Sequence, residues 1–337
     1  MRRGLAGFAR DAEAQACFFE ASGIRVYAEL LRAVVRLVER DPAVAGVLED
    51  AWRARDFSVA YERPLLLLAS LRADALADAA HPLARALAIS PFTADVHDEA
   101  IKDSLAPGRP ALARLVHGFV QTNEVTRAIA WRLPLAPWKG ARDVALVDIG
   151  CSAALNLVAD RMELAWTDAA GAPIALVATE CVRRRIGLDR APIDARDEGA
   201  RAWLRACLWP GQVARHARLD RALDLAARAL DAGEIELRRV DAADVPRELS
   251  RIAEGAGRVL AYQTIFSSYL PAPERAVYEE RMTAFVRANP ERSMWAELEG
   301  APRGRPGPAE VRLHTSAGMR VLGACDYHPT NLVAPDG

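Results

Sequence analysis

The 337-residue chain is longer than one ordinary domain, and 51% hydrophobic with 26% charged residues is the composition of a globular protein able to bury a core. Its formal net charge of −1 provides no global field for holding nucleic acid or an anionic membrane. Lys102 and Lys139 are the only lysines, so nearly all positive charge is arginine; with the abundant alanine this points to a G+C-rich genome rather than to a phosphate-binding design. The five cysteines (Cys17, Cys151, Cys181, Cys207, Cys325) form no CxxC pair and no zinc-spaced cluster, so reduced thiols and no metal are expected. Met1-Arg2-Arg3 opens like a twin-arginine export signal, but Asp11 and Glu13 arrive before any apolar stretch. No apolar run reaches bilayer length, and the expected location is cytoplasmic.

In chain order, residues 1–138 read as an all-helical N-terminal domain. Ile24, Tyr27, Leu30, Leu31, Val34, Val35, Leu37 and Val38 follow helical spacing up to Asp41-Pro42. A second apolar segment runs from Leu65 to Leu76, and a third from Pro110 through Phe119 and Val125 to Trp131, stopping at Pro134. Ile89 to Gly108 reads as an irregular loop.

After Pro137-Trp138-Lys139-Gly140 the pattern changes, and residues 139–337 read as a second domain. Strands are expected at Val144–Ile149, Ile174–Thr179, Ile235–Val240, Val259–Gln263 and Met294–Leu298. Helices are expected at Ala153–Arg161, Asp197–Leu208, Arg215–Leu230 and Glu274–Ala288. Strands separated by helices build a parallel sheet. Val311–Thr315 and Arg320–Ala324, joined through Ala317-Gly318, read as an antiparallel hairpin at its edge. The expected fold is therefore α/β: a Rossmann-like, methyltransferase-type, mostly parallel sheet with an antiparallel C-terminal hairpin, preceded by the helical domain acting as a lid.

The strongest local signal is Val144-Ala-Leu-Val-Asp-Ile-Gly-Cys-Ser-Ala-Ala-Leu-Asn-Leu, a buried strand turning at Gly150 into a helix. Ligands of such sheets sit outside the carboxyl ends of the strands. Gly150 would let backbone approach the ligand, Asp148 would accept from its ammonium group, and Ser152 with the following amides would hold its carboxylate. The bland alternative is a simple turn at Gly150 with Ser152 as a helix cap. A dinucleotide would need G-x-G-x-x-G, whereas no glycine follows Gly150 before Gly171. That argues against a nicotinamide-dependent oxidoreductase and for S-adenosylmethionine. Glu180, taken to end the second strand, would accept from the ribose hydroxyls, and Asp241, after the third, from the adenine amino group; each alone also reads as a solvated strand-end acid.

Asp148-Ile-Gly-Cys-Ser-Ala-Ala-Leu-Asn-Leu, Gln121-Thr-Asn-Glu-Val, Gly187-Leu-Asp-Arg-Ala-Pro-Ile-Asp194 and Trp203-Leu-Arg-Ala-Cys-Leu-Trp-Pro210 together resemble a bacterial group, domain-of-unknown-function family 2332. The likeness covers nearly the whole chain and implies a class I methyltransferase-like fold more than any one reaction. It adds Asn156, Gln263 and Thr264 to the expected cofactor contacts. Two positions depart from the family pattern: Ala154 stands at a usual glycine, and Gln263-Thr264 at a usual His-Ser pair. Gln121, Asn123, Glu124 and Arg127 concentrate polar groups late in an apolar helix; the resemblance favours a helix across the mouth of the site over a surface ion pair.

Trp203, Trp209 and Pro210 read as packing, and Arg183-Arg184-Arg185 as solvated surface or a contact for an acidic substrate. Tyr262, Tyr269, Glu297 and Glu299 lie at or near strand ends, so Tyr269 and Glu299 join Gln121, Asn123 and Arg127 as expected substrate contacts. Methyl transfer needs a base only for a protonated nucleophile, and Glu124, Glu297 and His328 are the candidates. No motif for nucleic-acid bases is present. The expected function is transfer from S-adenosylmethionine to a small-molecule acceptor, the alternative a non-catalytic binder that keeps the pocket. The sequence carries no signal for oligomeric state.

Overall fold

The computed structural model describes residues 5–57, 59–88, 98–300 and 307–335. Residues 1–3, weighed above as an export signal, and 89–97 of the expected loop lie outside the described residues. The chain divides into two compact units: residues 1–122 with 197–218, and residues 123–196 with 219–337. The first boundary thus falls before residue 138, and the stretch containing Trp203 and Trp209 belongs to the helical unit. Among the described residues no helix is long and apolar enough to cross a membrane.

The helical unit contains α1 (Phe8–Ala21), α2 (Arg25–Arg40), α3 (Pro42–Trp52), α4 (Glu62–Ala77), α5 (Ala84–Leu87), α6 (Asp98–Ser104) and α7 (Pro110–His117). After α8 (Ile129–Arg132) in the other unit, it resumes with α9 (Glu198–Cys207). α2 buries Val26, Tyr27, Leu30, Leu31, Val34 and Leu37, the stripe its spacing predicts. Asp41 ends α2 and caps α3, its carboxylate accepting from the N–H groups of Ala43 and Val44 at 3.0 and 3.5 Å, with Pro42 in the first turn. α6 occupies part of the expected irregular loop.

α4 is buried nearly all round and carries a fully buried cation, Arg72. Its guanidinium donates to the carbonyls of Leu87 at 3.0 Å and Arg205 at 2.7 Å, and also to that of Leu208. It thereby closes the carboxyl end of α9, where free carbonyls and the helix dipole both favour a cation. Replacing Arg72 with methionine is expected to cost about 2–3 kcal/mol, because these buried carbonyls lose their donor; the urea midpoint of the full chain measures it.

The continuous helix expected from Pro110 to Trp131 is not formed. α7 stops at His117 because Gly118 leaves the helix at ψ 154°, and a 3-10 helix, Val125–Ala128, precedes α8. Asn123 therefore lies before the helical turn and Glu124 caps it, rather than both standing within a helix with Arg127.

The second unit is built on seven strands in the order β3-β2-β1-β4-β5-β6-β7: β1 (Val144–Ile149), β2 (Val182–Asp189), β3 (Ile235–Arg239), β4 (Arg258–Thr264), β5 (Ser293–Glu299), β6 (Ala309–Thr315) and β7 (Gly318–Cys325). The first five are parallel, and β6 and β7 are antiparallel additions, as expected. The order reverses between β1 and β4, which makes their carboxyl ends the topological switch point. α10 (Val213–Asp231), α11 (Val245–Glu254) and α12 (Ala272–Ala288) complete the helices. α11 adds to those expected, burying Val245, Leu249 and Ile252 at helical spacing.

One face of the sheet, with Val147, Ile149, Ala261 and Trp295, packs on α11 and α12. Alternation sends Asp148 and Tyr262 to the opposite face, where the Tyr262 ring lies 6.4 Å from Trp131 of α8.

One expected strand was misplaced. Ile174–Thr179 is not a sheet strand: Ile174 and Leu176 cover a cluster around Trp166, Leu298 and Cys325. A short apolar run fits either role. The true β2 is disguised by Arg183-Arg184-Arg185, of which Arg185 is largely buried against Asp160, bound by two nitrogens at 2.9 and 2.7 Å.

Candidate functional site

The site grows from the end of β1. Asp148 pairs in register with Gly187 on β2 and Tyr262 on β4, and is 2% exposed. Gly187 is required there, since a side chain would meet Cys151 Sγ at 2.7 Å. Asp148 Oδ2 and the buried Tyr262 hydroxyl each lack a partner in good hydrogen-bonding geometry, as does Asn156 Oδ1. Burial pushes the Asp148 carboxyl up to about 8; the neighbouring Tyr262 hydroxyl pulls it back and the charge of Asp189 raises it further.

Beyond β1 the chain makes a tight left-handed path. φ is 71° at Gly150, 50° at Ser152 and 57° at Ala154. Ala154 thus occupies a conformation that glycine takes without penalty and alanine does not. Instead of an α-helix, a 3-10 helix, Leu155–Arg161, follows. The Ser152 amide donates to Asp189 Oδ2 at 2.9 Å, and Asn123 Nδ2 reaches Ser152 Oγ at 3.3 Å.

Asp189 is the acid that the sequence reading missed. It ends β2 and also accepts from the Ala191 amide at 2.9 Å. Glu180 does not end the second strand: it precedes it, beside the amino end of β1, where Val144 pairs with Val182. The expected ribose contact from Glu180 therefore fails on position. The available signal was Asp189's place inside the Gly187–Asp194 segment. Asp241 lies just past β3 and is exposed, at the start of a 3-10 helix it does not cap with its side chain.

Gln263, Glu297 and Glu299 come together, but on the α12 side of the sheet. Gln263 is fully buried: its carbonyl accepts from Tyr278 at 2.5 Å and Trp295 at 3.2 Å, and its amide donates to Glu299 at 3.0 Å. Glu297 bonds His314 at 3.0 Å, with Arg312 at 3.6 Å. Thr264 is half-buried at the end of β4, and Tyr269 is exposed in the following 3-10 helix.

Gly150 meets this second group. A side chain there would lie 2.6 Å from the Phe266 ring, so the glycine's open side is filled by protein.

A third group surrounds the segment after Asn123. Buried Glu124 accepts from the Thr126 amide at 3.3 Å and lies 3.6 Å from His328 Nδ1, while Arg127 donates to the Tyr327 carbonyl at 2.9 Å. Together they pin the C-terminal segment. Gln121 belongs to the helical unit, where its backbone bonds Cys207. In that unit Trp203 donates to the Phe119 carbonyl at 3.0 Å, and Trp209 packs edge-on to Phe18 and Phe19, both packing roles.

A family model described as an uncharacterized protein conserved in bacteria (DUF2332) matches residues 9–333. No curated protein matches the chain. Among solved structures it is similar to a SAM-dependent methyltransferase from Anabaena variabilis ATCC 29413, at 15% identity and a TM-score of 0.28, covering 53% of each chain. The match spans only about half of that protein's length and is too loose to carry an argument; the fold stands on the strand order above.

Proposed function

The chain belongs to that bacterial family, and on this footing we propose that its sheet-bearing unit binds S-adenosylmethionine at the carboxyl ends of β1 and β2 and methylates a small molecule. The observation that carries the reading is the buried Asp148 carboxyl beside the buried Tyr262 hydroxyl at the switch point, close enough to interact yet neither in good hydrogen-bonding geometry. A buried acceptor without a donor is costly in a folded protein. An ammonium group would offer Asp148 Oδ2 a well-placed donor beyond the Tyr262 hydroxyl next to it. Asp189 also fits: each oxygen takes one backbone N–H and keeps lone-pair capacity for hydroxyl groups. A seat directly against Gly150 does not fit, because Phe266 fills it.

When bound, the cofactor supplies an already activated methyl group. The chain's part is placement: Asp148 and Asp189 orient the ligand, and Asn123 fixes Ser152 between them. Of the three candidate bases, Glu297 is bonded to His314 on the α12 side. His328, partly exposed with Glu124 behind it, is the one retained for an acceptor that must lose a proton.

Calorimetric titration with S-adenosylhomocysteine tests the reading. Binding by the native chain that falls at least about tenfold in Asp148→Asn is expected, the loss of a hydrogen bond to a charged group. A folded native chain that does not bind would sink it. Binding without methyl transfer to any acceptor would favour the non-catalytic alternative.

A further inference from the structure

At the end of β4 the chain turns through Ile265 at φ 51°, a left-handed conformation that a β-branched residue seldom takes. The next two amides, Phe266 and Ser267, both donate to Glu299 Oε1, each at 2.9 Å, and Gln263 Nε2 reaches the same oxygen at 3.0 Å. Glu299 ends β5 and is 3% exposed. The Phe266 ring that this turn presents lies against Gly150 and packs on Tyr278, with ring centroids 5.4 Å apart. One buried carboxylate thus ties the β4 turn to β5 and sets what lies against the β1 turn.

We propose that Glu299 is a positioning residue for the ligand site: its carboxylate holds the strained Ile265–Ser267 turn, with Phe266 seated on Gly150, in the conformation that the site requires. The inference rests on the reading that the ligand binds at the carboxyl ends of β1 and β2, beside the β4 turn.

A carboxylate suits the task better than an amide. Ionised, it makes short, charge-assisted bonds to several N–H donors at once, enough to over-determine a strained residue beside it. Burial pushes Glu299 up to about 6; the Ser267 amide pulls it down, the Glu297 charge raises it, and the Phe266 amide and Gln263 lower it. The groups facing this pocket are Gln263 on β4, Glu297 on β5, Arg312 and His314 on β6 through Glu297, and Tyr278 and Glu279 on α12. The grip is therefore charge-assisted above about pH 6 and neutral below it.

A cap with a purely structural role would alter local protection and unfolding but not ligand affinity. Amide hydrogen exchange over residues 264–270, corrected for intrinsic rates, reads the grip in the full-length native chain and in Glu299→Gln between pH 5 and 7.5, and ligand affinity separates the two roles. In the native chain, protection of this turn is expected to fall about tenfold as pH drops through 6, and to stay low and flat in the variant. S-adenosylhomocysteine should bind the variant about tenfold more weakly at pH 7.5. Flat protection in the native chain, which needs no variant to measure, would overturn the proposal, as would equal affinity in both forms. Expected exchange behaviour with no binding by either form would overturn the cofactor reading while leaving the grip in place.

Discussion

Replacing Asp148 with asparagine is expected to stabilise the protein at pH 7 by about 2–4 kcal/mol while removing its ligand site. The sign follows from the carboxyl's displacement from its ordinary 3.8 to about 8. Between those values the folded chain holds a proton that the unfolded chain has released, so stability declines as pH rises from about 4 to about 8. Asparagine imitates the neutral form and has no such decline. The gap between the two proteins should be absent near pH 3, open through neutrality and level off above pH 8, read by urea denaturation across the range. A variant no more stable than the native chain at pH 7 would show that Asp148 is not held protonated. The same displacement makes ligand binding proton-linked: an ammonium group drawn to Asp148 at pH 7 displaces its proton, so binding enthalpies should differ between buffers of different ionisation enthalpy.

Asp160→Ala is expected to cost about 3–5 kcal/mol, because it strands the largely buried Arg185 guanidinium. Burial alone would raise the Asp160 carboxyl, but the hydrogen bonds and charge of Arg185, with the Thr179 hydroxyl at 2.7 Å, outweigh it and hold it below its usual range. The stability this pair contributes is therefore present at neutral pH and lost as pH falls through that lowered value. The double variant Asp160→Ala with Arg185→Met should recover most of the loss, since a matched apolar replacement leaves no uncompensated charge. Failure of the double variant to recover would mean that the carbonyl of Leu157, which Arg185 also binds, matters more than the carboxylate.

Those arginines also show why parts of the fold were legible and others were not. β1, β4 and β5 are apolar runs buried on both faces, and the expected and observed spans agree closely. β2 was hidden because Arg185 is tolerable in a strand only with Asp160 beside it, a pairing that exists in three dimensions and not in the local pattern. The apolar run at 174–179 then looked the better strand, and with it Glu180 displaced Asp189 as the strand-end acid. The direction of Gln263, Glu297 and Glu299 was partly readable, for they share the odd-numbered alternation of Ala261 and Trp295; which face that was needed the sheet. The sharp departure at Ile265 carries no sequence mark, since a β-branched residue does not favour φ above zero, and at Ala154 the only mark was the glycine that the resemblance led one to expect.

The interleaving of the two units has a consequence for how the chain is made. The helical unit is not complete until residues 197–218 exist, because Arg72 on α4 finds its acceptors at Arg205 and Leu208. On the ribosome, β1 and β2 are synthesised before α9, so the sheet-bearing unit begins before the helical unit is complete. Until then a nascent chain carries a guanidinium meant for the interior with part of its acceptor set missing, a window in which a chaperone has most to do. Nor can the helical unit be obtained whole from a fragment ending near residue 138, which contains Arg72 with the Leu87 carbonyl but without those of Arg205 and Leu208.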